Sequence, residues 1–491
     1  MTQRPGMGLR VSCVAVMAAV AVACATNPAT GKREFNIMSE AQEVELGKQS
    51  DGQIRQEMGL LNDQAMQQYV DRVARSMALG TERPSLPWTF AVVDAPAVNV
   101  FALPGGYVYV TRGILAHLNS EAELAGVLGH EIAHVTARHS AAQYSKQTAG
   151  SLGLLLGQIF VPELRPFGQA AEAGLGLMFM KFGRDDEIEA DRLGAGYATA
   201  QGWDPRGVAS MLETLGRLGE GSDRKGVPNW MSTHPMPADR VARLEEQVAT
   251  LRATATRELA VNRAEYLRRT DGLMFGDNPR EGVQRGNAFL HPDMRFRLEF
   301  PQGWQVQNTP QQVVAQPQGG GAFVFLQLVP QPQGRSLQDV ASADLGQTGL
   351  QFVEGGETEV NGLPAFVGTF RGQMQQMGDV VLRSAWISHN NQVFRLAGLA
   401  PAQSYRQIAQ AVDGTVQSFQ PMSAGEAERI RPNVLDLYQV RQGDTWESIA
   451  AGAGRNTVKA ATLAVINGFS PQERPQAGDR IKIVVEGENR R

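Results

Sequence analysis

The sequence predicts a multidomain α+β chain, and three observations lead there. Apolar residues recur at helical spacing through most of residues 39–280, interrupted by a few β-type runs. Between residues 290 and 420 the composition turns to Gln, Gly, Val and Phe in short alternating runs, the pattern of strands. The length of 491 residues is enough for two or three such domains.

In chain order, Val44, Leu46, Ile54, Met58 and Leu61, then Tyr69, Val70 and Val73, place helices across residues 39–77. Trp88-Thr-Phe-Ala-Val-Val93 reads as a strand, Leu103-Pro104-Gly105-Gly106 as a turn, and residues 107–110 as a second strand. Ser120 and Glu123 have capping-box spacing and open a helix that reaches about residue 139. Residues 149–180 are rich in Gly and Leu. Gly150, Gly153, Gly157, Pro162 and Pro166 break that run, which favours core helices or a lid over a membrane span. Further helices cover 187–198, 204–218 and a charged stretch from 238 to 266. Strand-like runs at 296–300, 323–329, 365–370, 380–387 and 392–399, with a helix near 404–418, make residues 285–420 a separate α+β, sandwich-like domain. Residues 421–435 read as a linker before a last unit at 436–486.

The first 23 residues have the form of an export signal. Arg4 and Arg10 precede an apolar run over 11–23, short of the roughly 20 residues that span a bilayer. The run ends Ala21-Val22-Ala23-Cys24, which resembles a bacterial lipobox, so Cys24 is the expected lipidation site and residues 24–38 the tether behind it. Loss of residues 1–23 removes two Arg and no acid, moving the formal charge from -4 to -6. It also removes Cys13, the only other cysteine, so the mature chain is expected to lack disulfides. No strong basic field points to nucleic acid. By resemblance to enteric lipoproteins, Ala25 rather than Asp after the cysteine favours the outer membrane.

The chemistry concentrates in His130-Glu131-Ile132-Ala133-His134. Residues four apart on a helix are separated by about 40° around the axis and about 6 Å along it, so two imidazoles converge on one ion. Glu131 lies beside them, placed to activate the attacking water. Imidazole and carboxylate donors in this motif favour zinc, one per chain. A third protein ligand is required. Arg184-Asp-Asp-Glu187-Ile-Glu189-Ala190-Asp191 supplies several acids, and spacing alone does not choose among them.

These motifs resemble the gluzincin family that includes the CAAX prenyl protease and the HtpX heat-shock protease, and most of all its periplasmic BepA-like branch. The resemblance runs over roughly residues 36–275 and is carried by 101–113 and 121–134 as well as the acidic stretch. It implies a mainly helical zincin-type metallopeptidase domain with a small sheet, over residues 39–280. It also implies that Glu187 is the third zinc ligand and that Asp191 orients a zinc imidazole. Ser232-Thr233-His234-Pro235 and Asp239-Arg240 resemble the same branch. They imply that His234 either donates to the oxyanion or occupies the fourth zinc position and keeps the enzyme latent. Arg240 is implied to stabilise developing negative charge. Residues 107–110 are expected to pair with an extended substrate. The 34-residue helical repeat of that branch's C-terminal half is not found, so its substrate docking does not carry over.

Tyr438-Gln-Val-Arg-Gln-Gly-Asp-Thr-Trp446, Asn467-Gly468 and Ile481-Lys-Ile483 resemble a LysM domain, which implies a βααβ fold and binding of peptidoglycan through residues 436–486. Trp446 is then either core or a sugar-stacking face. Phe300-Pro-Gln-Gly-Trp304 opens a stretch that resembles small PsbP-type sandwich modules and implies no chemistry. The combined expectation is a lipid-anchored zinc endopeptidase of the bacterial cell envelope. Its substrates would be unfolded or misassembled envelope proteins. The alternative is a peptidoglycan-anchored or chaperone-like binding protein with a latent zinc site.

Overall fold

A computed structural model describes residues 24–146, 181–221, 229–235, 238–309, 311–330, 335–346, 348–374, 377–452 and 456–487. The expected export signal and the 149–180 segment lie outside the described residues. The chain divides into two compact units, Met1–Phe275 with Val434–Glu486, and Gly276–Asn433 with Gly487–Arg491.

The first unit opens with an antiparallel hairpin, β1 (Cys24–Thr26) and β2 (Arg33–Phe35), where a tether was expected. The Asn27 side-chain oxygen accepts from the Ala29 and Thr30 amides at 3.0 and 3.3 Å and closes the turn. Helix α1 (Glu40–Met58) starts at a capping box between Ser39 and Gln42, and α2 (Gln64–Ala78) at Asp63. A small sheet follows, made of β3 (Thr89–Val93), β4 (Val100–Leu103) and β5 (Tyr107–Thr111) in the order β3-β5-β4. Gly105 at its hairpin has φ +81°, and a Cβ there would lie 2.6 Å from Val44 Cα, so only glycine lets α1 approach.

This order corrects one expectation. Strand β5 pairs with β3 on one side and β4 on the other, so residues 107–110 have no edge to offer a substrate. Strands β3 and β4 are the edges of this sheet.

Helix α3 (Arg112–His117) leads to α4 (Glu121–Thr136), which Ser120 caps by accepting from the Glu123 amide at 3.1 Å. Every residue of α4 after the first is buried, because Ala, Gly, Leu, Val and Ile occupy all its faces. It ends earlier than the expected residue 139. Arg138 adopts φ 61° and turns the chain before residues 139–146 become helical again. Helices α5 (Arg184–Ala200), α6 (Arg206–Gly221), α7 (Asn229–Thr233), α8 (Ala238–Thr254) and α9 (Arg263–Thr270) complete the set. The expected charged helix over 238–266 is thus two helices, the second entered through Asn262 at φ 51°. Among the described residues no helix is long and apolar enough to cross a membrane.

The C-terminal segment runs strand Asn433–Gln439, helix Trp446–Gly452, helix Ala460–Ile466, strand Arg480–Glu486. The two strands form one sheet with Met274–Phe275. It was expected as a separate domain at 436–486. Instead Leu435, Trp446, Ile449, Leu463, Ile466 and Ile481 share one hydrophobic cluster with Val127 and Leu128 of α4. The Lys482 ammonium is fully buried and donates to the carbonyls of Ala116 and Leu118 at 2.8 and 2.7 Å. Trp446 belongs to this core, its indole N–H donating to the Glu473 carbonyl at 2.7 Å.

The second unit holds an antiparallel seven-stranded sheet and a four-stranded sheet. Phe289 and Phe296 from the smaller sheet share a cluster with Phe394 and Leu396 from the larger and with Val412 and Val416 of helix Tyr405–Ser418. The strands run longer than the sequence suggested, as in Leu363–Met374, Gly378–His389 and Gln392–Pro401. The expected linker at 421–435 is structured, since Pro421 pairs with Phe296 and Ala424–Glu428 is helical.

Candidate metal centre

Three elements of the first unit meet at the motif. Helix α4 presents His130 and His134 one turn apart, α5 brings Glu187 from its first turn, and α7 ends beside them at His234. The His130 and His134 Nε2 atoms are 3.0 Å apart. Glu187 reaches each of them at 3.6 Å, one carboxylate oxygen to each. His234 Nδ1 lies 2.8 Å from Glu187 Oε1 and 3.3 Å from His130 Nε2. One ligand atom from each of these four residues falls within 4.8 Å of all the others.

The residues fit a zinc ion. Ligand atoms about 2.0–2.1 Å from a tetrahedral metal lie roughly 3.3 Å from one another, which the observed separations bracket. The protonation pattern agrees. His130 Nδ1 sits 2.9 Å from Asp191 Oδ1, and a carboxylate there accepts the ring proton, leaving a lone pair on Nε2. Two imidazole nitrogens so close repel unless a proton or a cation lies between them. Burial pushes His130 below its usual pKa, pushes His134 well below, and, with Arg240, takes His234 down to about 3. Neutral imidazole is the form that binds metal. Burial also lifts Glu187 to about 7, a shift that a bound cation reverses. Glu187 Oε2 is buried without a well-aligned hydrogen bond, although the Arg240 guanidinium lies 2.6 Å away.

Glu131 lies beside the cluster, its Oε1 accepting from the Trp230 indole at 3.3 Å and lying 3.5 Å from His234 Nε2. Burial raises its carboxyl well above the usual range, while hydrogen bonds from Trp230 and the Ala102 backbone of β4 act against that. His234 packs between two aromatic rings. Its ring stacks on Trp230 at 4.6 Å and on Phe182 at 5.4 Å, and its backbone N–H closes a helical turn on the Trp230 carbonyl. His130, Glu131, His134, Glu187 and His234 are each at most 1% exposed, so the site is closed to a peptide in this arrangement.

Arg240 departs from expectation. Its Nε and Nη2 donate to the two Asp191 oxygens at 2.6 and 2.8 Å, and its Nη1 pairs with Glu187. It therefore braces two carboxylates from behind instead of facing the reacting carbonyl. Burial alone lifts the Asp191 carboxyl, but Arg240 and His130 together hold it well below the usual range. Cys24 stands at the start of β1, opposite Phe35. Trp230 and Phe182 were not read as site residues from the sequence, and Glu189 was one of several acids that spacing left open. His139 falls out of helical phase with the motif, and only the turn at Arg138 returns its ring to His134.

Residues 63–248 match peptidase family M48 and include His130, Glu131, His134, Glu187 and His234. Over this segment the chain is similar to M48 metallopeptidases. Among curated relatives, the chain is 36% identical over 177 residues to the mitochondrial metalloendopeptidase OMA1 of Arabidopsis thaliana, covering 36% of this chain and 35% of that one. It is 30% identical over 228 residues to the beta-barrel assembly-enhancing protease of Escherichia coli (strain K12), covering 44% and 46%. Over 223 residues it is 31% identical to the mitochondrial metalloendopeptidase OMA1 of Schizosaccharomyces pombe, covering 45% and 65%. The chain thus spans less than half the length of the first two. One solved structure, cyanobacterial PsbP from Synechocystis sp. PCC 6803, aligns at 10% identity and a TM-score of 0.22 over 28% of this chain and 95% of that one, a likeness that carries no argument.

Proposed function

We propose that the chain is an exported zinc endopeptidase whose site is closed by His234. The observation that carries the reading is the convergence of His130, His134 and Glu187 beside Glu131, all buried. His130, His134 and Glu187 hold the metal, which when bound polarises the scissile carbonyl and acidifies water. Glu131 takes the proton of the attacking water and delivers it to the leaving amine. Asp191 and Arg240 fix the ligand geometry. His234 fills the fourth position in the closed state, and it must swing away, with Trp230 and Phe182, before a substrate enters. The edge strand β4, whose Ala102 already hydrogen-bonds Glu131, is where an extended chain adds by strand pairing.

An extended-substrate mode suits unfolded or misassembled proteins. The E. coli relative's name, a beta-barrel assembly-enhancing protease, supports envelope β-barrels as the class. The export signal at 1–23 and the lipobox at Cys24 support a lipid-anchored location in the envelope. Peptidoglycan binding by residues 436–486 is retained as part of the reading, through the face left outside the shared core. Deleting that segment would open the core around Val127 and Leu128, so glycan binding is assayed on the intact chain with insoluble peptidoglycan.

The test is metal content. The parent is expected to hold one zinc per chain, and His130→Ala to hold none. A folded parent that binds no zinc defeats the reading.

A further inference from the structure

Each ring that faces the metal position must present Nε2 without a proton, so something has to hold the proton on Nδ1. Asp191 does this for His130. Among the described residues no carboxylate is paired with His134 Nδ1, and the atom beside it is His139 Nδ1, at 2.9 Å. His139 Nε2 in turn lies 3.3 Å from Glu189 Oε2. We propose that His139 and Glu189 form a relay that fixes the tautomer and ring orientation of His134 as a metal ligand. The proposal rests on the zinc-site reading above.

With His139 as a neutral imidazole, the hydrogen-bond directions give one assignment. A carboxylate accepts, so His139 carries its proton on Nε2 and accepts at Nδ1. His134 must then donate from Nδ1, which leaves the lone pair on Nε2, the atom that faces His130 and Glu187. His139 is not itself a ligand, because it meets His134 on the side away from the convergence. It is 2% exposed, buried where solvent cannot serve as the partner instead.

The far end of the relay is also fixed. Lys32 Nζ lies 3.1 Å from Glu189 Oε1, and Asn27 Nδ2 donates to Glu189 Oε2 at 3.2 Å. Both come from the hairpin that starts at Cys24. The acidic stretch of α5 is thereby divided by role. Glu187 faces the metal position, Asp191 supports His130, and Glu189 supports His134 through His139.

The experiment measures zinc affinity of the full chain by competition with a chromophoric chelator, together with the visible spectrum of the cobalt-substituted protein. His139→Ala should bind zinc about 10–100-fold more weakly and shift the cobalt bands. His139→Gln, whose amide offers one acceptor and one donor, should recover most of the affinity. Glu189→Ala should weaken binding by a smaller factor and carries the test if His139→Ala does not fold. Unchanged affinity and an unchanged cobalt spectrum in the alanine variants would overturn the relay. A parent that binds no zinc would overturn the underlying reading of the site, a result separable from the first.

Discussion

Gly129 and Gly194 meet backbone to backbone where the two ligand-bearing helices cross. A Cβ on Gly129 would sit 2.7 Å from the Gly194 carbonyl oxygen, and one on Gly194 would sit 2.6 Å from the His130 nitrogen. This contact lets Glu187, two turns before Gly194 on α5, reach His130 and His134 on α4. Gly129→Ala or Gly194→Ala forces the helices apart. Each is expected to cost about 1–3 kcal/mol of stability and to lower zinc occupancy in the same sample. Urea unfolding and metal analysis of the two variants check this, and full occupancy in both would show that the crossing does not set the site.

Asp191 holds the proton of His130 and is itself clamped by Arg240. Asp191→Asn keeps the shape but removes the charge that fixes the ring. Zinc affinity should fall about 10–100-fold. Arg240→Ala should fall in the same assay, because Arg240 braces ligand carboxylates. Weaker turnover at unchanged zinc affinity would return Arg240 to the oxyanion role expected from the sequence.

Lys482 joins the C-terminal segment to the peptidase core. Removing its ammonium leaves the Ala116 and Leu118 carbonyls buried without a donor. Lys482→Ala should destabilise the first unit by about 2–5 kcal/mol. Chemical denaturation followed by the signal of the buried tryptophans measures it, and a loss below about 0.5 kcal/mol, the range of an ordinary surface substitution, would mean that the segment is only loosely attached.

His117 gives the first unit an acid-sensitive term. Burial drives its pKa down to about 4, with Lys482 adding to the effect and a hydrogen bond to the Gly113 carbonyl opposing it. The unfolded chain takes up this proton near the ordinary value of about 6.5, before the folded chain does. Stability is therefore full above about pH 6.5 and declines as pH falls toward 4. The urea midpoint should drop between pH 7.5 and 5, and His117→Gln should flatten part of that slope. The same pH dependence in His117→Gln as in the parent would refute the term.

The motif helix was legible because Ser120, the apolar run and the paired histidines all pointed the same way. The α+β division was legible from the change of period near residue 290. Other features depend on contacts that spacing cannot show. The order β3-β5-β4 places the strand after the hairpin in the middle of the sheet, which local pattern does not reveal. Residues 24–38 look like a polar tether, yet a single Asn27 turn folds them and brings Lys32 to Glu189. Lys482 reads as part of a detachable module because its partners, the Ala116 and Leu118 carbonyls, are more than 300 residues away. Arg240 was expected to stabilise developing negative charge, and its pairing with Asp191 and Glu187 could not be read from spacing.

The central claim is a Glu131-dependent zinc protease held closed by His234. Its most direct test is digestion of an unfolded protein by the zinc-loaded chain, by Glu131→Gln, by His234→Ala and by the double variant. The account predicts slow cleavage by the parent, faster cleavage by His234→Ala, and none by either protein that lacks Glu131. Equal cleavage with and without Glu131 would contradict the catalytic assignment. Loss of cleavage in His234→Ala would contradict latency and make His234 a donor to the oxyanion.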